Sequence, residues 1–143
     1  MPRRFNLLVF DWDGTLMDSE AHIVACLRAA IEDLSLEPRD EASLKNIIGL
    51  GLAEAINTLY PGSDGSLHKA MTDRYRYHFL TASPSASELF SGAEETVRTL
   101  AEAGYLLAVA TGKGRAGLDK VLEETGMGRY FHATRCSDET FSK

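Results

Sequence analysis

The sequence predicts an α/β fold, a parallel β-sheet core interrupted by a module of four helices. Three observations carry this. A short apolar run at residues 5–10 ends in an acidic turn that starts at Asp11. Four stretches with helical spacing then follow with no strand between them. After residue 87 the pattern alternates helix, strand, helix, strand. Alternation of this kind implies parallel strands with helices on the sheet faces. Four consecutive helices do not fit a simple crossover, so they read as an insert of about 70 residues, enough for a small domain.

Each element has its own signal. Residues 5–10 (FNLLVF) read as a strand buried on both faces, as parallel strands are. Asp18 or Ser19 is placed to cap a helix, and Ile23, Leu27, Ala30, Ile31 and Leu34 recur at helical spacing until Glu37-Pro38 ends the pattern. Ser43 is the expected cap of a second helix through Leu44, Ile47 and Ile48, closed by Gly49. Leu52, Ala55, Ile56 and Leu59 mark a third, stopped at Pro61-Gly62. Leu67, Met71, Tyr75, His78 and Phe79 mark a fourth. Residues 81–87 (TASPSAS) look like a linker. Beyond it lie a helix ending at Gly104, a second buried strand at 105–110, a helix ending near Gly126, and a third strand within 130–136. The expected organisation is a core of residues 1–15 and 88–143 with a helical module at 16–87.

Composition narrows the function. The 143 residues are 44% hydrophobic and 25% charged, as in soluble globular chains. A net charge of −6 argues against a nucleic-acid partner, and any anionic substrate then needs local cations or a metal. No apolar run approaches the roughly 20 residues that span a bilayer, so no membrane partner is expected. Cys26 and Cys136 are far apart and read as free thiols of an intracellular, cytoplasmic chain. The four histidines show no zinc-site spacing. The oligomeric state is not encoded in any recognisable pattern.

The chemistry lies after the first strand. In open parallel sheets, ligands bind at the carboxyl ends of the strands, where Asp11 sits. Asp13 follows two residues on, and Gly14-Thr15 makes a tight turn. Two carboxylates this close need a divalent cation between them, for which hard oxygens favour Mg2+, or a proton on one of them. Both conditions suit phosphoryl transfer: a carboxylate nucleophile, an acid/base beside it, and a metal to neutralise the phosphate. An acidic turn that merely closes a strand is the plainer alternative.

Residues 9–19 (VFDWDGTLMDS) resemble the first motif of the haloacid dehalogenase superfamily of hydrolases. The resemblance implies a Rossmann-like parallel core with an inserted four-helix cap. It implies that Asp11 forms an aspartyl-phosphate, and that Asp13 protonates the leaving group and then activates water. Mg2+ would be held by the Asp11 carboxylate and the Asp13 backbone carbonyl. Thr111, in Val109-Ala110-Thr111-Gly112-Lys113, matches the second motif. Its hydroxyl and the following backbone N–H groups would bind the phosphoryl oxygens, near a helix start that also favours anions. Lys113 and Arg115 would add positive charge or face solvent. Residues 136–143 resemble the stretch leading to the third motif, which makes Lys143 the partner of Asp11 and the bound phosphate. The insert resembles the cap of phosphoglycolate phosphatases and β-phosphoglucomutases. Gly49 and Gly51 lie where that cap often faces the substrate, although a plain helix–helix turn has the same composition.

The family's fourth motif, an acidic pair that completes the metal site, has no counterpart here. The resemblance therefore implies the N-terminal part of a longer enzyme, the favoured reading, or else a short chain that binds phosphate or metal weakly or needs a partner to complete its sheet. The leading expectation is a Mg2+-dependent phosphatase acting on a small phosphorylated metabolite such as phosphoglycolate. A β-phosphoglucomutase-like phosphotransferase and a non-catalytic interaction module are the two rivals.

Overall fold

The computed structural model describes residues 2–141. In chain order the elements are β1 (Leu7–Phe10), β2 (Met17–Asp18), α1 (Glu20–Asp33), α2 (Glu41–Asn46), α3 (Leu52–Leu59), α4 (Gly65–Leu80), β3 (Glu88–Leu89), α5 (Ala93–Glu102), β4 (Leu106–Thr111), α6 (Arg115–Thr125) and β5 (Ala133–Cys136). The main sheet has the order β1-β4-β5, and both pairings are parallel. Parallel pairing places the C-terminal ends of all three strands on one edge. That edge carries Phe10-Asp11, Thr111 and Cys136.

Register decides which side chains are buried. Leu8 lies opposite Leu107 and Phe10 opposite Val109. These four point to one face, where they pack with Ala93 and Val97 of α5, Leu118 and Val121 of α6, and Met127. Each aliphatic side chain fully buried there stabilises the fold by about 1.5–3 kcal/mol. The other face differs from expectation. Leu7, Val9 and Leu106 are each about half exposed or more, so neither β1 nor β4 is buried on both faces. The reason is local: among the described residues, β1 pairs only with β4, and no helix in this cluster covers that side.

The helical module has its own core, built from Ile23, Leu27 and Ile31 of α1, Leu44 of α2, Ile56 of α3 and Met71 of α4. Two of its four helices are capped by carboxylates. Asp40, not Ser43, caps α2, accepting from the Ser43 N–H at 2.7 Å. Asp64 caps α4 in the same way through the Leu67 N–H. An Asp three residues ahead of a free N–H makes the stronger cap, which is why the serine expectation fails by three positions.

The stretch at 81–87 is more structured than a linker. Residues 84–86 form a short 3-10 turn, and the chain then pairs antiparallel with the segment leading into α1, Met17 with Leu89 and Asp18 with Glu88. The Phe90 N–H donates to the Leu16 carbonyl at 2.9 Å. This two-stranded ribbon pins both crossings between core and module side by side. No helix among the described residues is long and apolar enough to cross a membrane. Both cysteines are free, as expected, and both are buried.

Candidate active site

The loop after β1 is wound around one carbonyl. The Trp12 oxygen accepts the N–H groups of Thr15, Leu16 and Met17 at 3.1, 3.0 and 3.2 Å. Gly14 adopts φ +77°, a conformation that disfavours side chains, and its N–H donates to Met17 at 2.9 Å. The Trp12 indole is fully buried under the loop, with its N–H on the Met17 sulfur and its ring edge-on to Phe131. Alternation then places Asp11 and Asp13 on the opposite side, and both line the cleft between sheet and helices. The Asp11 carboxylate accepts the Trp12 N–H at 2.8 Å.

Asp13 is held from two directions. The Ser19 hydroxyl donates to it at 2.6 Å, and the Lys113 ammonium lies 3.2 and 3.3 Å from its two oxygens. The two charged side chains are only 10% and 7% exposed, so this is a buried ion pair. The Lys113 ammonium also stands 4.0 Å above the ring of Phe79 on α4, a cation–π contact between core and module. Ser19 is the first residue before α1, yet it makes no capping bond; its hydroxyl turns to Asp13 instead.

Thr111 closes β4 and is buried, with its hydroxyl oxygen accepting the Lys113 N–H at 3.1 Å. Ser137, just after β5, donates to the Gly112 carbonyl at 2.7 Å and through its N–H to the Lys113 carbonyl at 3.1 Å. The start of α6 is not open to an anion in the way expected. The Asp138 carboxylate accepts the Arg115 N–H there, at 3.1 Å from both oxygens. Arg115 does not add charge to the cleft either. Its guanidinium is tied to Glu139, Asp119 and Thr134, and the Glu139 contact above all raises its pKa.

The module closes down on this edge. A methyl group at Gly112 would lie 2.5 Å from the Gly49 carbonyl oxygen and 2.7 Å from that of Leu50. Gly51 approaches Ser137 in the same way, at 3.3 Å between β-carbon positions. The cleft, of about 90 Å³, has room for several waters or one small molecule. The structure thus brings Asp11, Asp13, Gly49, Thr111, Gly112 and Lys113 to one cleft, with Gly51 beside it. Lys143 lies outside the described residues.

Sequence reasoning missed Ser19, Ser137, Tyr75 and Phe79 as parts of this site. Ser19 carried a signal, since a serine directly before an amphipathic helix has a hydroxyl to place. The other three carried none beyond ordinary packing and turn composition. Burial near Asp13 pushes the Tyr75 phenol well above its ordinary value. Burial also raises the Cys26 thiol to about 11, which keeps it protonated and unreactive.

His22 also packs against Phe79, its ring tilted by 36° with ring centroids 5.1 Å apart. Burial first, then the charges of Lys113 and Lys120, lower its pKa. The folded protein therefore resists protonating His22, while the unfolded chain takes the proton near pH 6.5. Between those two values the unfolded state binds more protons, so stability falls as pH drops below about 6.5. Urea midpoints at about pH 7.5 and about pH 5.5 should show this decline in the wild type and a smaller one in His22→Gln. Equal declines in both would show that another group is responsible.

The model of the haloacid dehalogenase-like hydrolase family matches residues 8–143. A phosphoglycolate phosphatase of Agrobacterium fabrum is 33% identical over 136 residues, which cover 92% of this chain and 58% of that protein. A 5'-nucleotidase of Pseudomonas aeruginosa is 28% identical over 130 residues, 91% of this chain and 58% of that protein. The crystal structure of a predicted phosphatase from Clostridium acetobutylicum superposes with a TM-score of 0.85 at 27% identity, over 96% of this chain and 64% of that one. The chain thus spans somewhat under two thirds of the length of these relatives.

Proposed function

The chain belongs to the haloacid dehalogenase-like hydrolases, and on that premise we propose that it carries the reaction centre of a Mg2+-dependent phosphatase for a small phosphorylated metabolite. The observation that carries this reading is the convergence of Asp11, Asp13 and Thr111 at the ends of parallel strands, beneath a module that closes over them. Residues 1–15 and 88–143 act as the core, and residues 16–87 as the cap.

The Asp11 carboxylate attacks phosphorus, forming the aspartyl–phosphate bond as the ester P–O bond breaks. The leaving alkoxide takes a proton from the Asp13 carboxyl. Asp13 then removes a proton from water as that water attacks the acyl-phosphate, which releases phosphate, restores the Asp11 carboxylate and leaves Asp13 protonated for the next leaving group. Ser19 and Lys113 hold Asp13 in place for both transfers. The Thr111 oxygen already accepts the Lys113 N–H, which leaves its own hydrogen to donate to a phosphoryl oxygen.

The donors here suit Mg2+, being hard oxygens. The Asp13 carboxylate is committed to Lys113 and Ser19, so Asp13 would contribute its backbone carbonyl beside the Asp11 carboxylate. When bound, the ion supplies charge neutralisation for the phosphoryl oxygens. Lys143 is proposed as a further cation for the same group, and Gly49 and Gly51 as the cap loop facing the substrate.

Phosphoglycolate is the proposed substrate, by similarity to the Agrobacterium fabrum enzyme. The cap side of the cleft offers Ile48, Leu50 and Phe79, which favours a compact leaving group over a hydroxyl-rich sugar and hence a phosphatase over a sugar-phosphate mutase. The test is phosphate release from phosphoglycolate, glucose 6-phosphate and a nucleoside monophosphate, with Mg2+ and with EDTA. Phosphoglycolate turnover that EDTA abolishes is expected. Release from none of the esters in Mg2+ would sink the reading.

A further inference from the structure

The two sides of the cleft differ in chemistry. The core side presents Asp11, Asp13 and Thr111, whereas the cap side is apolar through Ile48, Leu50 and Phe79. Among the described residues, two side-chain cations line the cleft, Lys113 and Arg76. Arg76 is half exposed and leans toward Asp138, 3.8 Å away. Lys113 is buried at the seam between the two sides.

That position is built. Gly117 on α6 packs beside the lysine: a methyl group there would lie in ordinary contact, 3.5 Å from Lys113 Cγ and 3.4 Å from the Phe79 ring. The ammonium is shared by Asp13 at 3.2 Å and the Phe79 face at 4.0 Å. The first distance exceeds the ~2.7–2.9 Å of a good charge-assisted hydrogen bond. Lys113 therefore bridges its two partners without being saturated by either, and an ammonium has three hydrogens to give.

We propose that Lys113 selects the leaving group, its ammonium receiving an anionic substituent, a carboxylate, carried close to the ester oxygen. The inference rests on the phosphatase reading, which puts the ester oxygen at Asp13. A group one or two bonds beyond that oxygen comes within reach of an ammonium 3.2 Å from the same carboxylate. An anion there has apolar walls in place of water and needs a cation. An uncharged leaving group gains nothing from Lys113 and leaves it on Asp13. Discrimination then follows from a charge-assisted bond made by one substrate and not the other.

The experiment compares 2-phosphoglycolate with ethyl phosphate, esters of similar size that differ in the carboxylate. In the wild type kcat/KM favours phosphoglycolate. Lys113→Met should reduce that preference roughly tenfold or more, mainly through KM for phosphoglycolate, whatever it does to kcat for both esters. Lys113→Arg should retain most of the preference. The same ratio read as equilibrium Kd on an Asp11→Asn background gives a second measure that needs no turnover, and Lys113→Gln repeats it should the Met variant fold poorly. An unchanged ratio in Lys113→Met overturns the proposal, because a lysine acting on the phosphoryl group or on packing alone affects both esters equally. Loss of the preference in Arg76→Met instead overturns it in favour of that residue. Hydrolysis of neither ester by the wild type in Mg2+ strikes the phosphatase reading, while the Kd ratio still decides the selectivity of Lys113.

Discussion

Asp11→Asn abolishes phosphate release, lowering kcat by about four orders of magnitude or more while leaving the fold intact. The amide keeps the size of the carboxylate, and its oxygen can still accept the Trp12 N–H that Asp11 accepts at 2.8 Å. What it loses is the charge and the nucleophilic oxygen. The loop itself is held by the Trp12 carbonyl and the buried indole, neither of which the substitution touches. Thermal unfolding should therefore change little, and the loss should appear in kcat with every ester tested. Residual activity above about one percent would mean that another group attacks phosphorus. Asp13→Asn is a less clean probe. It removes the counter-charge of a lysine that is 7% exposed, and a buried charge left unpaired costs roughly 3–5 kcal/mol. Stability and catalysis would fall together there.

The sequence exposes some of this site and hides the rest for identifiable reasons. The strand before Asp11, the turn at Gly14 and the position of Thr111 at the end of β4 are local patterns, and they stand where expected. Three of the module's four helices are long enough to show their period, whereas α2 has six residues and ends at Asn46, before the Ile47 and Ile48 that the spacing assigns to it. The β2–β3 ribbon is two residues deep on each side, too short for any alternation to register. Lys113 meets Asp13 across a hundred positions of sequence, and nothing local to Gly112-Lys113-Gly114 says that its ammonium turns inward. Arg115, two residues on, has equal charge and turns the other way, because Glu139 and Thr134 stand beside it. The exposed Leu7 and Val9 fail expectation for a different reason: an apolar run shows that a strand can be covered, not which face the described chain covers. Periodicity identifies the elements and their chemistry-bearing ends. The partners that tune those ends come from distant elements that only the fold brings near.

Gly112→Ala tests whether the closeness of cap and core matters to the reaction. The added methyl would sit 2.5 Å from the Gly49 oxygen and 2.7 Å from the Leu50 oxygen. Both are backbone atoms, so no rotamer change can relieve the clash. Gly49 has φ +100°, a conformation its own turn requires, and it has little freedom to retreat by itself. On the other side Gly112 is tethered by its carbonyl to Ser137 at 2.7 Å, so the core loop is held too. The remaining response is for the cap to stand off by about an ångström. That moves Phe79 away from Lys113 and Leu50 away from the cleft, and a misplacement of this size costs about 100-fold in kcat/KM. The methyl lies at an interface and not inside either hydrophobic cluster, so the unfolding midpoint should shift little. Ser137→Ala loosens the tether without adding bulk, and in the double variant it should recover part of the lost activity. A Gly112→Ala protein with wild-type kcat/KM would show that turnover does not require this contact. A large loss of stability would show that the contact serves the fold more than the reaction.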